Sequence, residues 1–418
     1  MIITPGQFRA ATDALAQILP MTQPADAVLS RYFRANRQLG PQERAFVADT
    51  VFDLLRRRYS LEFHTGADTP RRLLLAYFSR VGGLSLRQLE PLFGADAAWA
   101  AALKTPRNET APLAVNAELP PWLVEMLGAQ MPEAEILALG RALQLPAPLD
   151  LRVNPLLTRR EEVLAALAAD GIGAAATPHS PLGVRLSGKP ALSRHPLFLS
   201  GKVEVQDEGS QLLCYLLAPK RREMVVDFCA GAGGKTLLLG ALMQSAGRLY
   251  AFDVSEHRLG KLTPRLRRSQ LSNVHPQVID GEADARVRRL ARKIDRVLVD
   301  APCSGFGTLR RNPDLKWRQS AQGVAELAVK QRAILAAAAT LVKPGGRLVY
   351  ATCSFLRMEN RDIVADFLAA HPSFTLLPAS AALHQQKIDL DTGDYLELAP
   401  HRQGCDGFFA AVMERSTL

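Results

Sequence analysis

Long apolar stretches are missing from this chain of 418 residues. The longest nearly apolar run, "AILAAAATLV" at 333–342, falls far short of the roughly 18 to 20 residues that a membrane-spanning helix needs. No membrane is therefore expected as a partner. The opening "MIITPGQFRAATDALAQILP" has no basic segment leading into an apolar one, so it is not read as a secretory signal. Cysteine is scarce and scattered: Cys214, Cys229, Cys303, Cys353 and Cys405 form no C-x-x-C pair. The eight histidines form no H-x-x-x-H pair either. No metal is expected, zinc in particular. Such thiols suit a reducing cytoplasm, where a working cysteine is a nucleophile rather than a disulfide partner. Internal repeats and low-complexity segments are also lacking.

What remains describes an ordinary globular protein, 48% hydrophobic and 22% charged. The length allows two or three domains, each with its own core. A net charge of +10 favours a polyanionic partner such as nucleic acid, a modest bias over so long a chain. The chain is expected to act as a monomer.

Three regions differ in texture. Residues 1–144 carry apolar residues three and four apart, as in "PQERAFVADTVFDLLRRRYSLEFH", and are predicted all helical. Pro121 suits the first turn of a further helix in "PPWLVEMLGAQM". The triple arginine Arg56-Arg57-Arg58 ends one helix, either as a solvated terminus or as a contact to RNA phosphate. Residues 145–222 mix short strands with the helix of "TRREEVLAALAADGI", for which a capping box pairing Thr158 with Glu161 is expected. This reads as a small α/β connector. From 223 to 418, strands and helices alternate, which predicts a mostly parallel sheet covered by helices, with "DGFFAAVMER" adding a last antiparallel strand.

The loop in "VVDFCAGAGGKTLLLG" (225–240) nearly matches a phosphate-binding loop. Gly234-Lys235-Thr236 would close G-x-x-x-x-G-K-[ST], but Cys229 stands where its first glycine belongs. The dinucleotide pattern fails as well, because Thr236 replaces its third glycine. The small residues still let a ligand approach the backbone beyond the strand end. Further strands end at Asp253, Asp280 and Asp300. An acid about 20 residues past the loop suits ribose hydroxyls, and Asp280 suits an adenine amine. Serial carboxylates would repel a triphosphate and accept a nucleoside bearing a cation. S-adenosylmethionine is the expected ligand. The plainer readings are a loop that is only a turn and an Asp253 that only caps a helix.

"DAPCSGFG" (300–307) and "ATCSF" (351–355) each place a cysteine just past an apolar strand, on the rim the glycine loop shares. A single buried cysteine is usually a small hydrophobe; two beside Asp300 call for chemistry. Which one would attack is left open by the residues themselves.

"DFCAGAGGKT", "DAPCSGFGTLRRNPDLKW", "LVYATCS" and "GCDGFF" resemble the motifs of the RsmB/Sun family of RNA cytosine-5 methyltransferases. The likeness covers most of the chain, closely over 225–355 and loosely over 1–140. It implies a Rossmann-like class I methyltransferase domain, preceded by the α/β module and an all-α NusB-like domain that binds RNA. It implies Cys353 as nucleophile, Cys303 as the group assisting product release, and Asp300 at the edge of the base. Cys229, Ala230, Gly231, Ala232, Gly233, Gly234 and Lys235 would contact S-adenosylmethionine, with Asp253 on its ribose and Asp280 on its adenine. Asp284 is the other candidate for that last role, and Ala232 departs from the family's usual proline. The implied partner is RNA, small-subunit (16S) rRNA above all.

Arginine and lysine clusters at 220–222, 265–268, 286–289 and 310–311 are candidate phosphate contacts or merely solvated faces. Two other classes compete. An amino-group methyltransferase would carry D-P-P-Y where this chain has Asp300-Ala301-Pro302-Cys303. A non-catalytic RNA-binding factor would be expected to have lost a cysteine or a ligand carboxylate, and neither is missing.

Overall fold

A computed structural model describes residues 3–105 and 110–417. These form two compact units, one of residues 1–146 with 308–321 and the other of 147–307 with 322–418.

The first unit is all α-helical among its described residues. Four helices, Pro5–Ile18, Pro41–Arg56, Pro70–Arg80 and Pro121–Gly128, begin on proline. The first turn has no use for that residue's missing N–H. Segment 308–321, expected within the third region, packs here instead. Asp314 accepts the Ala25 N–H at 3.2 Å and so caps helix Ala25–Ala35, whose own Pro24 offers no capping side chain. Lys316 is buried and donates to the carbonyls of Arg56 and Glu118 at 2.9 and 2.8 Å. Trp317 stacks on Tyr59 with ring centroids 4.1 Å apart. The triple arginine is engaged internally: Arg57 pairs with Asp53, Arg58 with Glu62, and Arg56 donates to the Arg310 carbonyl.

The second unit holds both sheets. A four-stranded antiparallel sheet orders β2 (Ala174–Ala176), β3 (Gly183–Leu186), β1 (Leu149–Val153) and β4 (Val203–Val205). Helix Arg160–Ala169 starts on a side-chain cap one residue removed from expectation. The Thr158 hydroxyl bonds to Glu162, not Glu161, at 2.6 Å, and Glu162 also accepts the Arg159 N–H.

The eight-stranded sheet runs β10 (Phe374–Leu377), β12 (Phe408–Arg415), β9 (Val342–Thr352), β8 (Ile294–Asp300), β5 (Met224–Asp227), β6 (Arg248–Asp253) and β7 (Val274–Val278), with β11 (Leu396–Leu398) paired to β12. Strands β5 to β9 are parallel, and β12 is antiparallel to β9. The sequence pattern had not suggested β10 or β11. Side chains alternate between faces: Val225, Leu298, Val349 and Ala410 enter one core, and Val226, Val299, Tyr350 and Phe409 the other. Burial on both faces is why these strands read as unbroken apolar runs. The chain order reverses at β5, whose neighbours are β6 on one side and β8 on the other. The crevice for a ligand opens beyond the strand ends at that switch.

Candidate active site

Strand register brings the two cysteines together. Asp300 on β8 lies opposite Ala351 on β9, and the Ala301 N–H donates to the Ala351 carbonyl at 2.9 Å. Cys303 is three residues past Asp300 and Cys353 two past Ala351. Their sulfurs meet at 3.4 Å. Both line a cavity of about 430 Å³ together with Asp300, Pro302, Cys229 and Asp253.

The glycine loop is built for close packing. Gly231 and Gly233 adopt positive φ of 56° and 83°. A side chain at Gly233 would also strike Leu262, 2.2 Å from where its Cβ would stand. The Gly231 N–H donates to Asp253 at 2.7 Å, and the Ser255 N–H to its other oxygen at 2.8 Å. Ala230 donates to the Phe252 carbonyl, the Ala232 carbonyl accepts from Arg265, and the Gly234 carbonyl accepts from Arg152 at 2.7 Å. Cys229 is the residue of 229–235 that lines the cavity. Lys235 turns to Asp300 at 2.6 Å.

Ile279 and Gly281, on either side of Asp280, line the cavity. Asp280 is exposed, and Asp284 caps the turn Ala285–Arg288, taking the N–H groups of Asp280 and Arg286. Glu282 is the carboxylate from this loop that lines the cavity. Glu282 had no strand end to mark it in the sequence. Val254, Ile279 and Ile334 add apolar walls, and Arg258 and Lys330 add cations.

Burial and charge act on the titrating groups of the site. Burial, aided by the charges of Asp300, Asp227 and Asp253, pushes the Cys229 thiol far up. Cys303 is also pushed well above the ordinary thiol range, first by its hydrogen bond to Cys353 and then by burial. Burial by itself lowers Lys235, but the charge and hydrogen bond of Asp300 prevail and hold it at about 12.

Several expected cationic clusters are occupied within the second unit. Arg265 and Arg268 pair with Glu204, and Arg286 pairs with Asp284. Lys220, Arg221, Arg222, Arg267, Arg288 and Arg289 stay exposed. Among the described residues no acidic or thiol cluster could hold a metal, and no helix is long and apolar enough to cross a membrane.

A parallel sheet with this switch point and an antiparallel last strand defines a Rossmann-like methyltransferase fold. The crystal structure of a protein named PH0851 has it, with a TM-score of 0.81 at 25% identity, covering 99% of this chain and 100% of that one. A methyltransferase homolog from Pyrococcus horikoshii matches with a TM-score of 0.58 at 26% identity, over 71% of this chain and 100% of its own. Residues 214–414 match the family described as 16S rRNA methyltransferase RsmB/F, and residues 119–193 match its ferredoxin-like domain. The "Probable ribosomal RNA small subunit methyltransferase B" of Synechocystis sp. is 37% identical over 71% of this chain and 67% of its own. The ribosomal RNA small subunit methyltransferase B of Shewanella oneidensis is 36% identical over 74% and 69%. The chain belongs to the RsmB/F methyltransferase family.

Proposed function

We propose that this protein methylates carbon 5 of a cytosine in RNA through a transient bond between Cys353 and the base. Small-subunit rRNA is the substrate class that the relatives' names point to. One observation carries the reading: two sulfurs from just beyond the ends of separate strands stand 3.4 Å apart on the cavity that also presents Asp300. An amino-group methyltransferase has no use for such a pair.

The cavity fits S-adenosylmethionine. Val254, Ile279, Pro302 and Ile334 offer apolar surface for an adenine, while Asp253 and Glu282 offer acceptors for ribose and amine. Three carboxylates would repel a triphosphate, and Lys235, the lysine a phosphate would want, is committed to Asp300. Bound there, S-adenosylmethionine supplies an electrophilic methyl group.

Carbon 5 of cytosine is too weak a nucleophile unaided. The Cys353 thiolate adds to carbon 6, and the ring's electrons shift to make carbon 5 an enamine carbon that accepts the methyl group. Asp300, oriented by Lys235, holds the nitrogen edge of the base. The Cys303 sulfur then takes the carbon 5 proton, and the electrons of that C–H bond restore the ring double bond and expel the Cys353 thiolate from carbon 6. The target base must leave any duplex for its ring carbons to meet both sulfurs.

The all-α unit is read as a NusB-like RNA-binding domain and residues 145–222 as a second RNA-binding module. The exposed cations at 220–222, 267 and 288–289 supply phosphate contacts. Bisulfite sequencing of small-subunit rRNA, with and without the gene, is the test. A protected cytosine that appears only with the gene is expected; identical conversion in both samples refutes the reading.

A further inference from the structure

We propose that Glu359 is a positioning residue that locks the two cysteine loops into one register. The inference rests on the roles just given to Cys303 and Cys353. Each cysteine is followed by a buried serine, Ser304 and Ser354, whose hydroxyls lie 3.2 Å apart. Glu359, fully buried, sits across both. One of its oxygens accepts the Ser304 N–H at 2.8 Å and the Gln331 side-chain amide at 3.0 Å. The other accepts the Ser304 hydroxyl at 2.6 Å and the Ser354 hydroxyl. The Gln331 amide also donates to the Pro302 carbonyl at 2.9 Å, so the residue before Cys303 is held by the same group.

A buried carboxylate is tolerated only when donors fill its lone pairs. Here three of the four donors belong to Ser304 and Ser354, which adjoin the two sulfurs, and removing the carboxylate releases both loops at once. From behind, the Tyr350 hydroxyl donates to the Glu359 carbonyl at 2.6 Å and fixes the turn that presents the side chain. Glu359 does not line the cavity. It acts through the cysteines, whose sulfurs must reach two carbons of a single ring.

The test uses the full chain and two readouts. The first is the rate at which diamide closes a Cys303–Cys353 disulfide, mapped by mass spectrometry. Two thiols give up their protons and electrons to form the S–S bond while the diazene is reduced to a hydrazine. This measures sulfur proximity without RNA. The second is methylation of substrate RNA beside S-adenosylmethionine affinity. Glu359→Ala is expected to slow the cross-link and to lower kcat about 100-fold, the scale of an ångström-sized misplacement, with cofactor affinity unchanged. Glu359→Gln is expected to recover most of this, remaining about tenfold down for one weakened hydrogen bond. Its amide oxygen still accepts the Ser304 N–H, and its NH2 group faces hydroxyls that can accept. Wild-type cross-linking and kcat in a folded Glu359→Ala protein overturn the proposal. Should that variant fail to fold, Ser304→Ala with Ser354→Ala removes the hydroxyl donors, and wild-type rates there overturn it equally. A slowed cross-link alongside full methylation by Cys353→Ala upholds the staple and sinks the catalytic reading instead.

Discussion

Lys235 Nζ lies 2.6 Å from Asp300 Oδ2 and ties the helix after β5 to the tip of β8. The lysine side chain is 13% exposed, so Asp300→Asn strands a nearly buried cation. A loss of about 3 kcal/mol is expected, the usual cost of breaking such a pair from one side, checked by urea denaturation. The pair also sets an alkaline limit. Lys235 is raised from 10.5 to about 12, so its contribution is complete below pH 10.5 and is lost as pH rises through 12. Wild-type stability that stays flat through that window would contradict the assignment.

Cys303 and Cys353 should fail in different ways. Cys353→Ala is expected to abolish both methylation and the covalent complex with RNA. Cys303→Ala should accumulate a denaturation-resistant adduct, because addition proceeds while release stalls. Denaturing gels of both variants with substrate RNA separate the roles, and adducts from the first variant alone would reverse them.

The carboxylate-lined cavity discriminates between ligands. S-adenosylmethionine at a hundredfold excess over Kd is expected to stabilise the protein by about 2.7 kcal/mol and so to raise its thermal midpoint. ATP with magnesium is expected to leave it unmoved. Stabilisation by ATP instead would return the glycine loop to a phosphate-binding role.

Asp227, at the end of β5, is wholly buried, with one oxygen on the Thr236 hydroxyl at 2.7 Å and the other without a partner. Burial, opposed by that hydroxyl and reinforced by the charge of Asp300, raises its carboxyl from 3.8 to about 7. Stability tied to the protonated form is complete below pH 3.8 and drains away as pH rises through 7. Asp227→Asn keeps the neutral shape and should stabilise the chain at pH 8 by ~1–3 kcal/mol, the cost of an unsatisfied buried group. Thermal melts from pH 4 to 8 check this; an unchanged pH slope in the variant rules it out.

Parts of the site were open to reading in one dimension. Asp253 was marked by its place at the end of an apolar strand, and Cys303 and Cys353 by theirs. Glu282 and Lys330 were not, since a loop residue and a helical lysine look the same whether or not they face a cavity. Glu359 was equally silent, because its buried state depends on donors 28 and 55 residues away in the chain. Asp280 is exposed just past the end of β7 at Val278, between the cavity-lining Ile279 and Gly281. The capping partner of Thr158 slipped by one residue because the helix begins at Arg160. The arginine clusters showed basic character but not which members Glu204 and Asp284 had already taken.

By itself the sequence determined the alternation of strands and helices, the glycine turn after β5 and the presence of two thiols just beyond strand ends. Those features follow from side-chain periodicity and backbone freedom, which act over a few residues. The tertiary structure decided which groups meet. Parallel pairing of β8 with β9 set Asp300 opposite Ala351 and so closed a gap of 50 residues to 3.4 Å between sulfurs. Packing then committed Lys235 to Asp300 and buried Glu359 among its donors. Register and burial are properties of the assembled sheet, and no local pattern carries them.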